Sequence, residues 1–234
     1  MAPDRVPTPA GPRTSFDGSA QLSAKVAAYV REGIMVGEFR ASEYVRTEKL
    51  AETLGVSPTP VREALMILGS EGVVRWEPRR GYRVVPIRIT DVRDLFSVQA
   101  FIAGELAARA ATMLTEEDLS AIDEIQARLV EAAASKDPSL VDDLNHQVHR
   151  LINRASGSTR LATLLNQTVH YVPLSFFGAI EGWAEASVHD HIAMIAALHG
   201  RDSALARASM SAHIENIGGL LIDHLERHNL LPEV

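Results

Sequence analysis

Four polar side chains in the second half of this 234-residue sequence have a spacing that suits a metal ion. Asn145 and His149 are four residues apart, and on a helix that spacing puts both side chains on one face. His191 and His213 lie symmetrically about Asp202, each eleven residues away from it. Two antiparallel helices joined at Asp202 would bring these two imidazoles level with each other.

Three imidazoles and one amide oxygen that converge inside a helical bundle form a ligand set for a borderline divalent ion such as Zn²⁺, Ni²⁺ or Mn²⁺. The sequence has no cysteine, so thiolate ligands are excluded. A hydrolytic zinc site would also need a general base beside an open coordination position. The sequence has no HExxH pattern, and its spacing places no carboxylate next to these histidines, so it favours a binding site over a catalytic one. An open coordination position could equally accept a ligand's carboxylate.

A second group with chemical potential is SPTPVREAL, residues 57–65, where two prolines precede helix-forming residues. Ser57 or Thr59 can cap the helix, and either choice leaves a proline at the first helical position, where a missing N–H costs nothing. Apolar residues at helical spacing predict a buried stripe that leaves Thr59 and Arg62 outside it. Both side chains would therefore stand at the positively polarised start of an exposed helix.

The sequence on either side of that helix predicts the motif to which it belongs. Thr47 is a good N-cap for a short helix that precedes this one. The segment GVS joins the two helices into a helix-turn-helix, a motif whose second helix enters the DNA major groove. The β-branched runs GVVRW and YRVVP flank EPRRG and predict a hairpin. Its tip carries Arg79 and Arg80, which are placed like a wing that touches phosphates or the minor groove.

Composition divides the chain into three parts. Residues 1–19 are rich in proline and predict a disordered arm, and residues 20–88 form the predicted DNA-binding domain. Residues 1–88 hold 13 Lys and Arg against 10 Asp and Glu, whereas the remainder holds 10 against 20. Residues 89–234 read as six or seven antiparallel helices without strands, so the fold class is mainly α. No apolar run approaches eighteen residues, which predicts a cytoplasmic protein without a membrane partner.

Two stretches of this sequence resemble a known family. LAETLGVSPTPVREALMILGSEGVVRWEPRRGYRV resembles the winged helix-turn-helix of GntR-type bacterial transcription regulators. VHRLINRASGSTRL and DHIAMIAALHGRDSALARASMSAHI resemble the FCD effector domain of the FadR-like branch. Where the family usually has Ser-Arg-Thr-Pro, this chain has Pro58 in place of the arginine. The positions that match the family's DNA contacts are Arg46, Thr47, Ser57, Thr59, Arg62 and Gly81.

The resemblance also carries expectations for the helical part. The four candidate ligands stand where metal-binding FCD domains carry theirs, although the family commonly has Asp where this chain has Asn145. A small organic acid, a carboxylate, is expected in the pocket above the metal, with Gln99 and His170 in its lining. FCD domains often carry R-x-x-x-E in their first helix, and the aligned positions here are Gln99 and Ala103. Loss of that arginine weakens the case for a strongly anionic effector and leaves the chemical identity of the effector open.

The function expected from these residues is transcriptional regulation. The predicted protein is a homodimeric repressor in the bacterial cytoplasm, associated with the nucleoid, which binds a palindromic operator and responds to the acid at the metal site. One recognition helix has a small footprint, so a second half-site is needed for specificity. The main alternative is a metal-dependent enzyme fused to a DNA-binding domain. A third possibility, a structural DNA binder without an effector, is disfavoured by the size of the helical part.

Overall fold

The computed structural model describes residues 17–35, 37–169, 177 and 180–228. Within these ranges it contains nine helices and one three-stranded sheet. The elements are α1 (Asp17–Met35), β1 (Tyr44–Val45), α2 (Thr47–Leu54), α3 (Pro58–Ser70), β2 (Val74–Glu77), β3 (Gly81–Val84), α4 (Ile89–Met113), α5 (Glu116–Ala134), α6 (Pro138–Ala155), α7 (Thr159–Val169), α8 (Trp183–His199) and α9 (Ser203–Arg227). The predicted mainly α fold, a winged helix-turn-helix followed by a helical bundle, is confirmed.

Helix α1 begins earlier than the sequence predicts. The arm was expected to extend to residue 19, but Asp17 already belongs to α1. The last proline before this helix is Pro12, so nothing between residues 17 and 19 blocks a helical backbone. The rest of the predicted arm, residues 1–16, lies outside the described residues.

The helix-turn-helix is formed by α2 and α3. Gly55 ends α2 in the left-handed conformation, with φ of 66°, which suits glycine. Thr47 is the first helical residue rather than the cap, because Arg46 holds the extended conformation that precedes α2. Of the two possible caps for α3, Ser57 has the extended backbone of an N-cap, and Pro58 follows at the start of the helix.

The three strands form a small antiparallel sheet in the order β1-β3-β2. The hairpin of β2 and β3 is the predicted wing, and its last pair is Glu77 with Gly81. Strand β1 was not predicted, since two residues are too short for a detectable alternation. An ion pair of 2.6 Å between Arg31 and Glu71 ties α1 to the end of α3 and keeps the helices of this domain together.

Six helices, α4 to α9, form the bundle of the described C-terminal part. Helices α4 and α9 run antiparallel in close contact, because Gly104 has no side chain where the Arg207 backbone and Ser211 approach it. The Ser211 hydroxyl donates a hydrogen bond of 2.9 Å to the Ala100 carbonyl across the same contact. Asp202, between α8 and α9, accepts hydrogen bonds from the first backbone N–H groups of α9 and so begins that helix.

Two buried apolar clusters fill the bundle. One lies around Leu106, Ile152 and Met210, and the other includes Phe177 and Trp183. None of the helices in the described part of the chain is long and apolar enough to cross a membrane. The bundle interior between the two clusters is where α6, α8 and α9 bring polar side chains together.

Candidate metal centre and nucleic-acid interface

Three imidazoles meet inside the bundle. His149 on α6, His191 on α8 and His213 on α9 each offer a nitrogen, and these nitrogens all lie within 4.8 Å of one another. The ring centroids are separated by 5.3 Å, 5.2 Å and 5.0 Å. Among the described residues this is the only group of three or more histidines and carboxylates close enough to hold an ion. The symmetry of His191 and His213 about Asp202 therefore brings the two rings together as the spacing predicts.

Asn145 stands one turn before His149 on α6. It is 8% exposed, and its Oδ1 has no hydrogen-bond partner among the described residues. His191 Nε2 is likewise buried without a partner in that part of the structure. A buried acceptor without a partner is costly, and a metal ion at the imidazole cluster would satisfy the His191 nitrogen. The residues present therefore fit a divalent ion.

The outer nitrogen of His213 is oriented by a carboxylate. His213 Nδ1 lies 3.2 Å from Asp190 Oδ2, and the same oxygen accepts a hydrogen bond of 2.9 Å from the Asn216 amide. A proton on Nδ1 that points to Asp190 leaves Nε2 of His213 as the acceptor that faces the other two rings. The hydrogen bond to His213, with that to Asn216, lowers the pKa of Asp190 to about 2.

His191 is oriented by an amide instead. Its Nδ1 lies 2.9 Å from Gln126 Oε1, and Gln126 also donates a hydrogen bond of 3.2 Å to the Val188 carbonyl, which holds the amide in place. Burial lowers the pKa of His191 to about 3, with a further contribution from His213. Burial, followed by the neighbouring imidazoles, also holds the pKa of His149 well below its ordinary value. Neutral imidazoles are the form that ligates metals.

A cavity of about 940 Å³ opens above this cluster. Its lining includes Asn145, His149 and His213 from the cluster, together with Gln99 from α4. The Gln99 side-chain amide donates a hydrogen bond of 3.1 Å to the Thr168 carbonyl. The other residue predicted for the pocket, His170, lies outside the described residues.

Two residues that orient the imidazoles were missed from the sequence. Asp190 directly precedes His191, but adjacent residues of a helix point about 100° apart, so the two side chains do not face the same neighbours. The spacing therefore could not predict that Asp190 contacts His213 on another helix. Gln126 lies on α5, 65 residues before His191. The expectation that no carboxylate stands beside the histidines is therefore wrong, because the α8–α9 packing brings Asp190 against His213.

The residues predicted to contact DNA cluster at one side of the first domain. Ser57, Thr59 and Arg62 are exposed at the start of α3, and Arg46 is exposed before α2. Arg46 and Arg62 take part in no ion pair or hydrogen bond of their side chains within the described residues, so both guanidinium groups are available to a partner. Thr47 is buried, so only its backbone N–H, at the helix start, could meet a phosphate.

The wing tip has a defined shape. Gly81 has φ of 99°, and a Cβ there would stand 3.1 Å from the Val45 carbonyl oxygen, so a larger residue would disturb the turn. Arg79 is exposed in the left-handed conformation, with φ of 65°. Arg80 donates a hydrogen bond of 3.1 Å to the Tyr44 hydroxyl and lies over its ring. The two arginines of the wing tip therefore differ in conformation: Arg80 is held against Tyr44, whereas Arg79 extends from a left-handed backbone.

Comparisons with known proteins agree with this architecture. Residues 22–84 match the family described as bacterial regulatory proteins, gntR family, and residues 94–216 match the FCD domain. An uncharacterized HTH-type transcriptional regulator in an unstable DNA locus of Streptomyces ambofaciens is 29% identical over 205 residues, which cover 85% of this chain and 82% of that protein. The HTH-type transcriptional repressor RspR of Escherichia coli is 27% identical over 173 residues, 73% of this chain and 75% of the repressor.

Solved structures show the same fold. E. coli McbR/YncC is similar with a TM-score of 0.66 and 22% identity, over 87% of this chain and 98% of that one. A putative transcriptional regulator GntR from Rhodococcus sp. RHA1 is similar with a TM-score of 0.59 and 20% identity, over 87% and 98% of the two chains. These relatives are transcriptional regulators rather than enzymes, so the alternative of a fused metal-dependent enzyme is set aside. The chain belongs to the GntR family of transcriptional regulators, in the branch that carries an FCD domain.

Proposed function

We propose that this protein is a homodimeric repressor whose operator binding is controlled by a small carboxylate held at a divalent ion in the bundle. The observation that carries the proposal is the cluster of three imidazoles together with the buried Asn145. Asn145, His149 and His213 also line a large cavity. The relative named as a repressor, RspR, supports the direction of control. We further propose that the protein acts on the nucleoid in the bacterial cytoplasm.

The ligands of the ion would be Asn145 Oδ1 and the inner nitrogens of His149, His191 and His213. Zn²⁺, Ni²⁺ and Mn²⁺ all accept imidazole and amide ligands. When bound, the ion would supply a positively charged position with room for a carboxylate oxygen. All four protein ligands are neutral, so nothing in this set offsets the charge of the ion, which favours an anionic group on the effector.

Asp190 and Gln126 should affect metal affinity although neither would touch the ion. We expect Asp190→Asn to weaken Zn²⁺ binding by about 10- to 100-fold, because the carboxylate orients His213 and makes it a better donor. Gln126→Ala should weaken binding through His191 in the same way. Titration calorimetry with Zn²⁺ measures both effects. Asp123→Asn, which alters a surface ion pair with His199, serves as the control and should leave affinity unchanged. Wild-type affinity in both test variants would contradict this role.

The DNA-binding surface we propose consists of Arg46, Ser57, Thr59 and Arg62 with the wing residues Arg79, Arg80 and Gly81, together with the backbone of Thr47. Arg62 lies on the helix that enters the major groove, where arginine reads base edges. Arg79 and Arg80 lie at the tip of the hairpin, where contacts with phosphates or the minor groove are expected.

Arginines that read bases and arginines that contact phosphates should respond differently to salt. Arg62→Ala should weaken binding to the specific operator by about 1–3 kcal/mol while binding to unrelated DNA changes little. Arg79→Ala and Arg80→Ala should weaken binding to every sequence and lower the salt dependence. Binding isotherms at several salt concentrations distinguish the two effects. Exposed Arg128, on α5, is the control. Unchanged salt slopes in both wing variants would remove the wing from the interface.

The dimer surface we propose is the outer face of α4 and α9. Phe101 is 67% exposed and Val98 is 50% exposed on α4, and Leu205 is 47% exposed on α9. Ala208 and Ala212 are also exposed there, so a second helix could approach closely. Because α4 and α9 are antiparallel and Gly104 meets Ser211, these residues share one face of the bundle. A second copy of the chain is the partner that a palindromic operator requires.

A charge on that face should separate the subunits. We expect Phe101→Glu to shift the protein from dimer to monomer in sedimentation equilibrium, because a carboxylate would be buried without a partner in the interface. Operator affinity should fall with it, since only one half-site can then be bound at a time. Val130→Glu on α5, at a residue 45% exposed, is the matched control and should remain dimeric. A wild-type protein that is monomeric both free and on DNA would contradict the proposal.

A further inference from the structure

One wall of the cavity carries polar atoms that the proposed ion does not use. Asp142 Oδ1, His146 Nε2 and Asn153 Oδ1 are buried atoms on α6 with no hydrogen-bond partner among the described residues. All three residues line the cavity. His146 Nε2 lies 3.4 Å from Asp142 Oδ1, but the geometry is not that of a hydrogen bond. The oxygens of Asp142 and Asn153 are acceptors, so this wall suits a ligand that donates hydrogen bonds.

Of these three groups, Asp142 costs the most free energy to bury because it is a carboxylate. Its side chain is 19% exposed. No lysine or arginine forms an ion pair with it in the part of the chain that the structure describes. The cationic side chains of the lining, Arg150 and Arg154, are exposed and so belong to the mouth of the cavity. The ion-pair contact of Asp142 within the described part of the chain is with the His146 imidazole, 3.4 Å from Asp142 Oδ1. A partly buried carboxylate whose neighbour is an imidazole can accept the positive charge of an ammonium group.

The surroundings of Asp142 are suited to a cation. Its neighbours on α6, Val141 and Leu144, pack in the same apolar cluster as Phe177 and Trp183. The rings of Phe177 and Trp183 stand 6.1 Å apart and also line the cavity. Aromatic faces attract ammonium groups, and Asp142 lines the same cavity, so the cavity offers a cation both a carboxylate and aromatic rings. The proposed metal ion, by contrast, would attract an anionic group.

We propose that the effector is an amino carboxylate, whose ammonium group binds Asp142 and the aromatic end of the cavity while its carboxylate faces the metal cluster. This inference rests on the proposed function and names the chemical class of its ligand. Asp142 precedes His149 by seven residues, about 10 Å along the helix at 1.5 Å per residue. The amine and the carboxylate should therefore be separated by several bonds, as in an ω-amino acid rather than an α-amino acid.

Matched series of acids test the proposal on the full-length protein loaded with Zn²⁺. The first series is δ-aminovalerate, δ-hydroxyvalerate and valerate, and the second is the corresponding caproates. We expect at least one amino acid to bind at least tenfold more tightly than its hydroxy and unsubstituted counterparts, measured by thermal shift and calorimetry. Asp142→Asn should abolish this preference, whereas Asp142→Glu should keep part of it. Asp123→Asn, at an exposed carboxylate on α5 outside the lining of the cavity, should bind as the wild type does.

The possible results separate this inference from the proposed function. If the three acids of each series bind equally, or if Asp142→Asn keeps the preference, the amine site is wrong while a carboxylate effector stands. If no acid binds to protein that holds Zn²⁺, both proposals are wrong. Zinc content and the melting temperature without ligand show whether each variant is folded, so a loss of preference in a folded variant is assigned to Asp142 itself.

Discussion

The central constraint on this protein is that three imidazoles meet where three helices pack together, with His191 and His213 buried and His149 partly buried. Each ring brings two nitrogens into the interior of the bundle, and a nitrogen without a partner costs free energy. Gln126 and Asp190 satisfy the outer nitrogens of His191 and His213. The inner nitrogens of the three rings face one another. They therefore stabilise the fold only if a metal ion or a hydrogen-bond donor lies between them. The packing of α6, α8 and α9 is thus linked to what the cluster binds.

Packing also joins this region to the DNA-binding domain. The aromatic end of the cavity belongs to the apolar cluster that contains Phe177 and Trp183. Ile34, near the end of α1, packs against that cluster and also against the core of the winged domain. A ligand that orders the aromatic end of the cavity would therefore act close to a side chain shared by both domains. In the proposed function, this contact is a physical route by which an effector could change operator binding.

Sequence reasoning succeeded where one helix or one turn determines the geometry. The pair Asn145 and His149, and the symmetry of His191 and His213 about Asp202, needed only helical periodicity and an antiparallel turn. The same reasoning could not find Asp190 and Gln126, since their contacts depend on how α5, α8 and α9 are rotated against one another. It also placed the start of α1 too late and took Thr47 for a cap, because helix ends depend on local backbone angles more than on residue type. The role proposed for Asp142 could not be predicted either, since only the folded structure shows that this residue lines the cavity.

The most direct test of the account is the metal content of the protein and its effect on stability. Protein purified without chelator should contain one divalent ion per subunit, and its melting temperature should fall after chelation and recover in a dose-dependent way with Zn²⁺, Ni²⁺ or Mn²⁺. His191→Ala should abolish that recovery. If elemental analysis finds no metal, and none of the three ions moves the melting temperature of the wild type, the imidazole cluster is only a polar lining of the cavity and the metal centre is wrong.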